Sequence, residues 1–153
     1  MITLKQILVP TDFSETSEVA AKYARALAQA FGADLHLMHV LENPYASYDP
    51  LSFTPPINFF EELEAQTRDR LMRLLADWEP LRPHVDVVTT RGSAFIEIIH
   101  YAKEHNIDLI VLGTHGRGPI VHMLMGSVAE KIVRKAPCPV LTVRHPQHEF
   151  VMP

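Results

Sequence analysis

An apolar run, Leu109 to Leu112, stops at Gly113; Gly116 and Gly118 follow, and nine residues separate Gly116 from Gly126 and Ser127. These residue types suit the holding of an anion. Glycine has no Cβ, so its backbone N–H can come close to a ligand. A helix opening at Gly126-Ser127 adds unpaired N–H groups and a partial positive charge. The small anion most often held by such a cradle is a nucleotide phosphate. Thr114, His115, Arg117 and Pro119 complete the loop. No Gly-Lys-Ser/Thr is present, so this is not a Walker A loop, and the glycine spacing is wrong for the dinucleotide fingerprint G-x-G-x-x-G. Glycines alone leave a structural turn as an equal alternative.

Asp12 is the second candidate. With Glu15 three residues on, it reads as a helix N-cap with a capping box. A carboxylate also accepts from ribose hydroxyls or an adenine amine, yet it repels a triphosphate. As a ligand group it therefore belongs at the nucleoside end. Ser127 carries a similar double reading, as a plain N-cap or a phosphate contact. Nine histidines raise the question of a metal. His36 and His39 lie three apart in one strand, on opposite faces, and His115 and His122 have no Cys or carboxylate beside them at ligand spacing. A dedicated metal site is not expected; a Mg²⁺ carried by nucleotide phosphates is. Cys138, between two prolines, reads as an inert core thiol. Tyr23, Phe31 and Trp78 read as packing.

The elements that position these residues follow from pattern. Ile7 to Val9, closed by Pro10, is a first strand. Thr11 to Ser14 supplies turn and cap chemistry. Val19, Ala20, Tyr23, Ala24, Leu27 and Phe31 fall at helical spacing before Gly32. Strands are expected at Asp34–Leu41, Val85–Thr90, Asp108–Leu112 and Pro139–Val143. Helices are expected at Glu61–Trp78, with Leu63, Leu71, Leu74 and Leu75 inward, from Gly92-Ser93 onward with Phe95, Ile98, Ile99 and Ala102 inward, and at Ser127–Lys135. Between Asn43 and Asn58 four prolines forbid a helix or inner strand. That loop reads as a lid over the nucleoside end or as a partner-facing segment.

Strands alternating with helices imply an α/β fold: a doubly wound, five-stranded parallel sheet with helices on both faces, Rossmann-like. One domain over residues 1–153 is expected, with a loop insertion at 43–58 and a tail at 145–153. Pattern alone allows two strand orders. Ligands in such sheets bind beyond the strand carboxyl ends at the topological switch point. If the loops after the first and fourth strands serve one ligand, those strands are neighbours and the order is 3-2-1-4-5.

Composition narrows the partners. The chain has 153 residues, 47% apolar and 21% charged, with a net charge of −4. Lys and Arg form no run, so a nucleic-acid footprint is not expected. No apolar stretch approaches a membrane span, the first residues lack a signal-peptide pattern, and the single cysteine suits a reducing compartment. A cytoplasmic protein is expected.

Gly113-x-x-Gly116, nine residues, then Gly126-Ser127 resembles the G-x-x-G-x9-G-[S/T] pattern of ATP-binding universal stress proteins. LVPTDFSE, GADLHLMHV and VAEKIVRKAPCPVLTVR also look like that family, and the resemblance spares only 43–58 and the last few residues. It implies the strand order 3-2-1-4-5. It implies that Pro10, Thr11 and Asp12 hold adenine and ribose, and that the Val40 backbone meets the adenine edge. Gly113, Thr114, His115, Gly116, Arg117, Gly118 and Pro119 would wrap ribose and phosphates, and Gly126, Ser127 and Val128 would meet the outer phosphates. Pro119 and His122 depart from the polar or basic residues often found there. The implied function is ATP binding, with preference over GTP, in a stress-response or signalling module with little turnover. A slow nucleotide hydrolase or transferase using His115 or Asp12 is the alternative, and a nucleotide-free interaction module the next. Val140 to Val143 would form an unguarded sheet edge, so a homodimer is expected through it.

Overall fold

A computed structural model describes residues 1–49, 51–52, 54–78, 84–114 and 125–144. In chain order the elements are β1 (Gln6–Pro10), α1 (Glu15–Phe31), β2 (Asp34–Leu41), α2 (Phe59–Ala76), β3 (Val85–Arg91), α3 (Ala94–Glu104), β4 (Leu109–Gly113), α4 (Ser127–Lys135) and β5 (Val140–Val143). The strands pair in parallel in the order β3-β2-β1-β4-β5. Of the two orders that pattern allowed, this is the one that places β1 beside β4.

Side-chain alternation along each strand feeds two cores. Ile7 and Val9 of β1, Leu35 and Leu37 of β2 and Val111 of β4 meet Ala20, Ala21, Ala24 and Ala28 of α1 and Leu71 of α2. Leu8, Met38, Val40, Ile110 and Leu112 point the other way, onto Ile98 and Ala102 of α3 and Ala129 and Ile132 of α4. This is why the strands read as solid apolar runs: both faces are covered. The alanine face of α1 lets that helix lie close to the sheet. At Gly113 an added Cβ would sit 2.8 Å from Cγ2 of Thr16 and 3.0 Å from its carbonyl carbon. Gly113 is thus required by helix packing, before any question of a ligand.

Several expectations change. Tyr23 and Phe31 are 56% and 47% exposed. The alanines take the sheet-facing stripe of α1, and the aromatic positions fall to its side. Trp78 is half-buried against the first core, with the Arg25 guanidinium 5.7 Å from its ring centroid. On α2, Leu71 is fully buried while Leu63, Leu74 and Leu75 are half-buried, so Leu71 is the anchor. That helix begins at Phe59, not Glu61. Asp108 lies outside β4; its Oδ2 accepts the Lys5 and Gln6 N–H groups at 2.7 and 2.9 Å. Pro139 lies outside β5. Cys138 packs on the second core, and burial pushes its thiol pKa up.

At the amino ends of the strands, His36 of β2 is buried in a closed network. Its Nε2–H donates to Gln6 Oε1, and Nδ1 accepts from the Tyr101 hydroxyl at 2.9 Å. Gln6 in turn donates to Asp34 at 3.2 Å, which fixes its amide orientation.

Candidate functional site

Beyond the carboxyl ends of β1 and β4, where the connections diverge to opposite faces, a cavity of about 590 Å³ opens. That volume lies within the range of ligand pockets. Pro10, Thr11, Asp12, Val40, Gly113, Thr114, Gly126, Ser127 and Val128, distant in sequence, all line it. His115, Gly116, Arg117, Gly118 and Pro119, with His122, lie outside the described residues. The ends of their loop are held together: Thr114 donates its N–H to Val143 at 3.0 Å, and its carbonyl accepts the Gly126 N–H.

The β1 end of the cavity is tightly bonded. The buried Thr11 donates its N–H to the Met38 carbonyl at 2.8 Å, and its Oγ1 shares a hydrogen bond with Ser17 Oγ at 2.9 Å. Its own carbonyl accepts from Nδ1–H of His39 at 2.7 Å. Asp12 is not the N-cap of α1. Ser14 is, with an extended backbone and Oγ accepting the Ser17 N–H at 3.3 Å. Asp12 Oδ1 instead accepts the N–H of the cap residue Ser14 at 2.9 Å, because the chain reverses at Phe13 with φ 63°. Among the described residues Oδ2 of Asp12 has no hydrogen-bond partner.

The far wall is α4. Its N-cap is Gly126, with extended backbone, and Ser127 is the first helical residue, so the N-cap reading of Ser127 moves back by one. No described side chain caps this helix. Its first N–H groups have no intrahelical acceptor, and Gly126, Ser127 and Val128, which begin it, line the cavity. At α3 the corresponding place is taken: Glu42 Oε1 accepts the Ala94 N–H at 3.0 Å. Between these walls lies an apolar floor of Met38, Val40, Ile98 and Leu112.

Sequence reading missed Met38, His39, Glu42, Ala94, Ile98 and Met125 as lining residues. A signal existed for some of them. Met38 and Glu42 stand two positions either side of Val40 and share its face. Ala94 and Ile98 are one helical turn apart on the inward face assigned to α3. His36 and His39 point to opposite faces, and among the described residues no group of three or more His, Cys, Asp or Glu side chains could hold a metal ion. No described residue of 43–58 lines this cavity. Asn43 and Ala46 line a second one of about 580 Å³, which shares Glu42. Tyr45 packs on Phe59 with ring centroids 5.2 Å apart, and Phe53 lies outside the described residues.

Fold and cavity together define an open, doubly wound α/β protein with a ligand-sized cleft at its switch point. The sequence model of the universal stress protein family matches residues 3–144, and the chain belongs to that family. It is 32% identical over 146 residues to universal stress protein MJ0531 of Methanocaldococcus jannaschii, which covers 95% of this chain and 85% of that one. A universal stress protein from Thermus aquaticus is 35% identical over 142 residues, covering 92% of this chain and 98% of the relative. The solved structure of UspA from Lactobacillus plantarum matches with a TM-score of 0.80 at 28% identity, covering 94% of this chain and 100% of that one. Among the described residues no helix is long and apolar enough to cross a membrane.

Proposed function

We propose that the chain binds ATP, with Mg²⁺ carried on its phosphates, and works as a nucleotide-dependent stress-response module with little or no turnover. The observation that carries this reading is the polarity of the cavity. Three helices begin around it. Ser14 caps α1 and Glu42 occupies the start of α3, while α4 has no side-chain cap among the described residues. An anion is therefore directed to Ser127 and Val128, away from the carboxylates of Asp12 and Glu42. The base lies over Met38, Val40, Ile98 and Leu112, and the Val40 backbone offers its edge to adenine. Oδ2 of Asp12 accepts from ribose. Thr114, His115, Gly116, Arg117, Gly118 and Pro119 serve ribose and phosphates, as the family resemblance implies. The bound Mg²⁺ offsets phosphate charge; the protein supplies the slot and the N–H groups.

Titration calorimetry with MgATP tests this, together with identification of small molecules released by heat or acid. The expected result is saturable binding, with ATP preferred over GTP, and a thermal shift. At a hundredfold excess over Kd, ligand stabilises the fold by about 2.7 kcal/mol. No heat and no shift at millimolar ATP would refute the reading. The proposal extends to a cytoplasmic homodimer joined through β5. That strand is at the sheet edge, Leu141 is 37% exposed, and no charge or proline guards it. Light scattering at tens of micromolar tests the dimer, and a monomer would refute it.

A further inference from the structure

We infer that Phe13, clamped between Arg70 and His39, is a positioning residue that aims the Asp12 carboxylate at a ribose hydroxyl; this rests on the nucleotide reading above. Phe13 adopts φ 63°, a left-handed backbone that side chains with a Cβ rarely take. Such a conformation persists only where the surroundings over-determine it, and it collects at functional sites. Here three elements hold it. The Phe13 N–H donates to Thr11 Oγ1 at 3.0 Å, which binds the turn to the end of β1. The Arg70 guanidinium of α2 lies 3.9 Å from the ring centroid. The His39 ring of β2 lies 4.8 Å from it, tilted by 41°, and is itself fixed by its bond to the Thr11 carbonyl.

Helix capping does not require this arrangement, because Ser14 caps α1 on its own. What the reversal at Phe13 does is place Asp12 on the cavity wall with Oδ1 bonded to the Ser14 N–H. The second oxygen is left to meet a hydroxyl. A side chain with the freedom of an ordinary surface carboxylate would lose rotamer entropy on binding; one locked beforehand loses less. Phe13 and Arg70 are not among the lining residues of the cavity, so they act on sugar recognition through Asp12.

The test compares Kd for MgATP and Mg-2′,3′-dideoxy-ATP by calorimetry. Wild type should prefer ATP by roughly tenfold or more, the worth of one charge-assisted hydrogen bond. In Phe13→Ala the ratio should fall below about threefold while dideoxy-ATP affinity stays within about twofold, the other contacts being unchanged. Phe13→Tyr keeps the ring and should keep the ratio. If Phe13→Ala does not fold, Arg70→Ala on the exposed side of α2 decides, with an expected loss of about threefold or more in the ratio. Wild type binding neither nucleotide overturns the nucleotide reading and this inference with it. Equal binding of both overturns the ribose role of Asp12. Discrimination kept in both variants, or dideoxy-ATP weakened as much as ATP, overturns the clamp alone.

Discussion

Ser127→Glu separates the stability of α4 from ligand binding, because the two should move in opposite directions. Ser127 is exposed, the first residue of the helix, and makes no cap bond. A carboxylate there faces the positive end of the helix dipole and should stabilise the fold by about 0.3–1 kcal/mol. The same carboxylate faces the position assigned to the outer phosphates. At a separation of about 5 Å and an effective dielectric near 20, one pair of like unit charges costs about 3 kcal/mol. Salt at an exposed site roughly halves this, leaving about 1.5 kcal/mol, or more than tenfold in Kd. Calorimetry with MgATP and with adenosine, beside a thermal melt, reads all three quantities. Expected are a raised or unchanged Tm, ATP weakened at least about tenfold, and adenosine unchanged. A folded variant that binds ATP as tightly as wild type would refute the placing of phosphates at α4.

His36 predicts a pH dependence of stability. Its pKa is lowered from 6.5, first by burial and next by His105 and His84, against the opposing pull of Asp86 and Asp34. The unfolded chain therefore takes up the proton first, and stability present above pH 6.5 is lost as pH falls toward the folded value. Melts from pH 7.5 down to pH 5 should show this loss, and a shallower slope in His36→Gln; equal slopes would exclude the buried ring as the cause. Gly113→Ala should destabilise by about 1–3 kcal/mol in urea unfolding, by overpacking against Thr16. Adding Thr16→Ser should restore less than half, because the carbonyl carbon of Thr16 at 3.0 Å remains. Leu141→Glu should shift the proposed dimer to monomer in light scattering while circular dichroism shows a folded chain, as expected of a change at an exposed position; a variant that stays dimeric would refute pairing through β5.

The fold was legible where one signal decides. Solid apolar runs marked strands covered on both sides, and the two loops with cap chemistry marked the switch point. Even the strand order followed from asking which two loops serve one ligand. Legibility failed where the deciding contact is distant in sequence. The turn Thr11–Ser14 offers Asp12 and Ser14 as acceptors, and local spacing favours an Asp12–Glu15 box. In the structure Ser14 is the cap, and Asp12 instead bonds the Ser14 N–H across the reversed backbone at Phe13, which Arg70 from α2 and His39 from β2 hold. Gly113 looked like part of a ligand loop, yet its lack of a side chain answers to Thr16, nearly a hundred positions earlier in the chain. The bond of Glu42 to the start of α3 was not legible either, because its partner, the Ala94 N–H, comes from another strand–helix junction.

The two ends of the sheet treat polar groups differently, and that contrast bears on where a ligand belongs. At the amino ends, polar groups are spent on one another. His36 joins Gln6 and Tyr101, Gln6 joins Asp34, and Asp108 takes two N–H groups of the segment leading into β1. A network closed in this way fixes geometry and has little left to offer an incoming molecule. At the carboxyl ends the bonding stops short. Thr11 is fully engaged and Glu42 closes α3, but Asp12 Oδ2 and the first turn of α4 have no described side-chain partner. These two sit on opposite walls of one apolar-floored cavity, one an acceptor and the other a set of donors. A ligand matched to both needs hydroxyl donors at one end, negative charge at the other and a flat apolar body beside them. A nucleotide has that order of groups, whereas an inorganic anion would leave the carboxylate and the apolar floor unused.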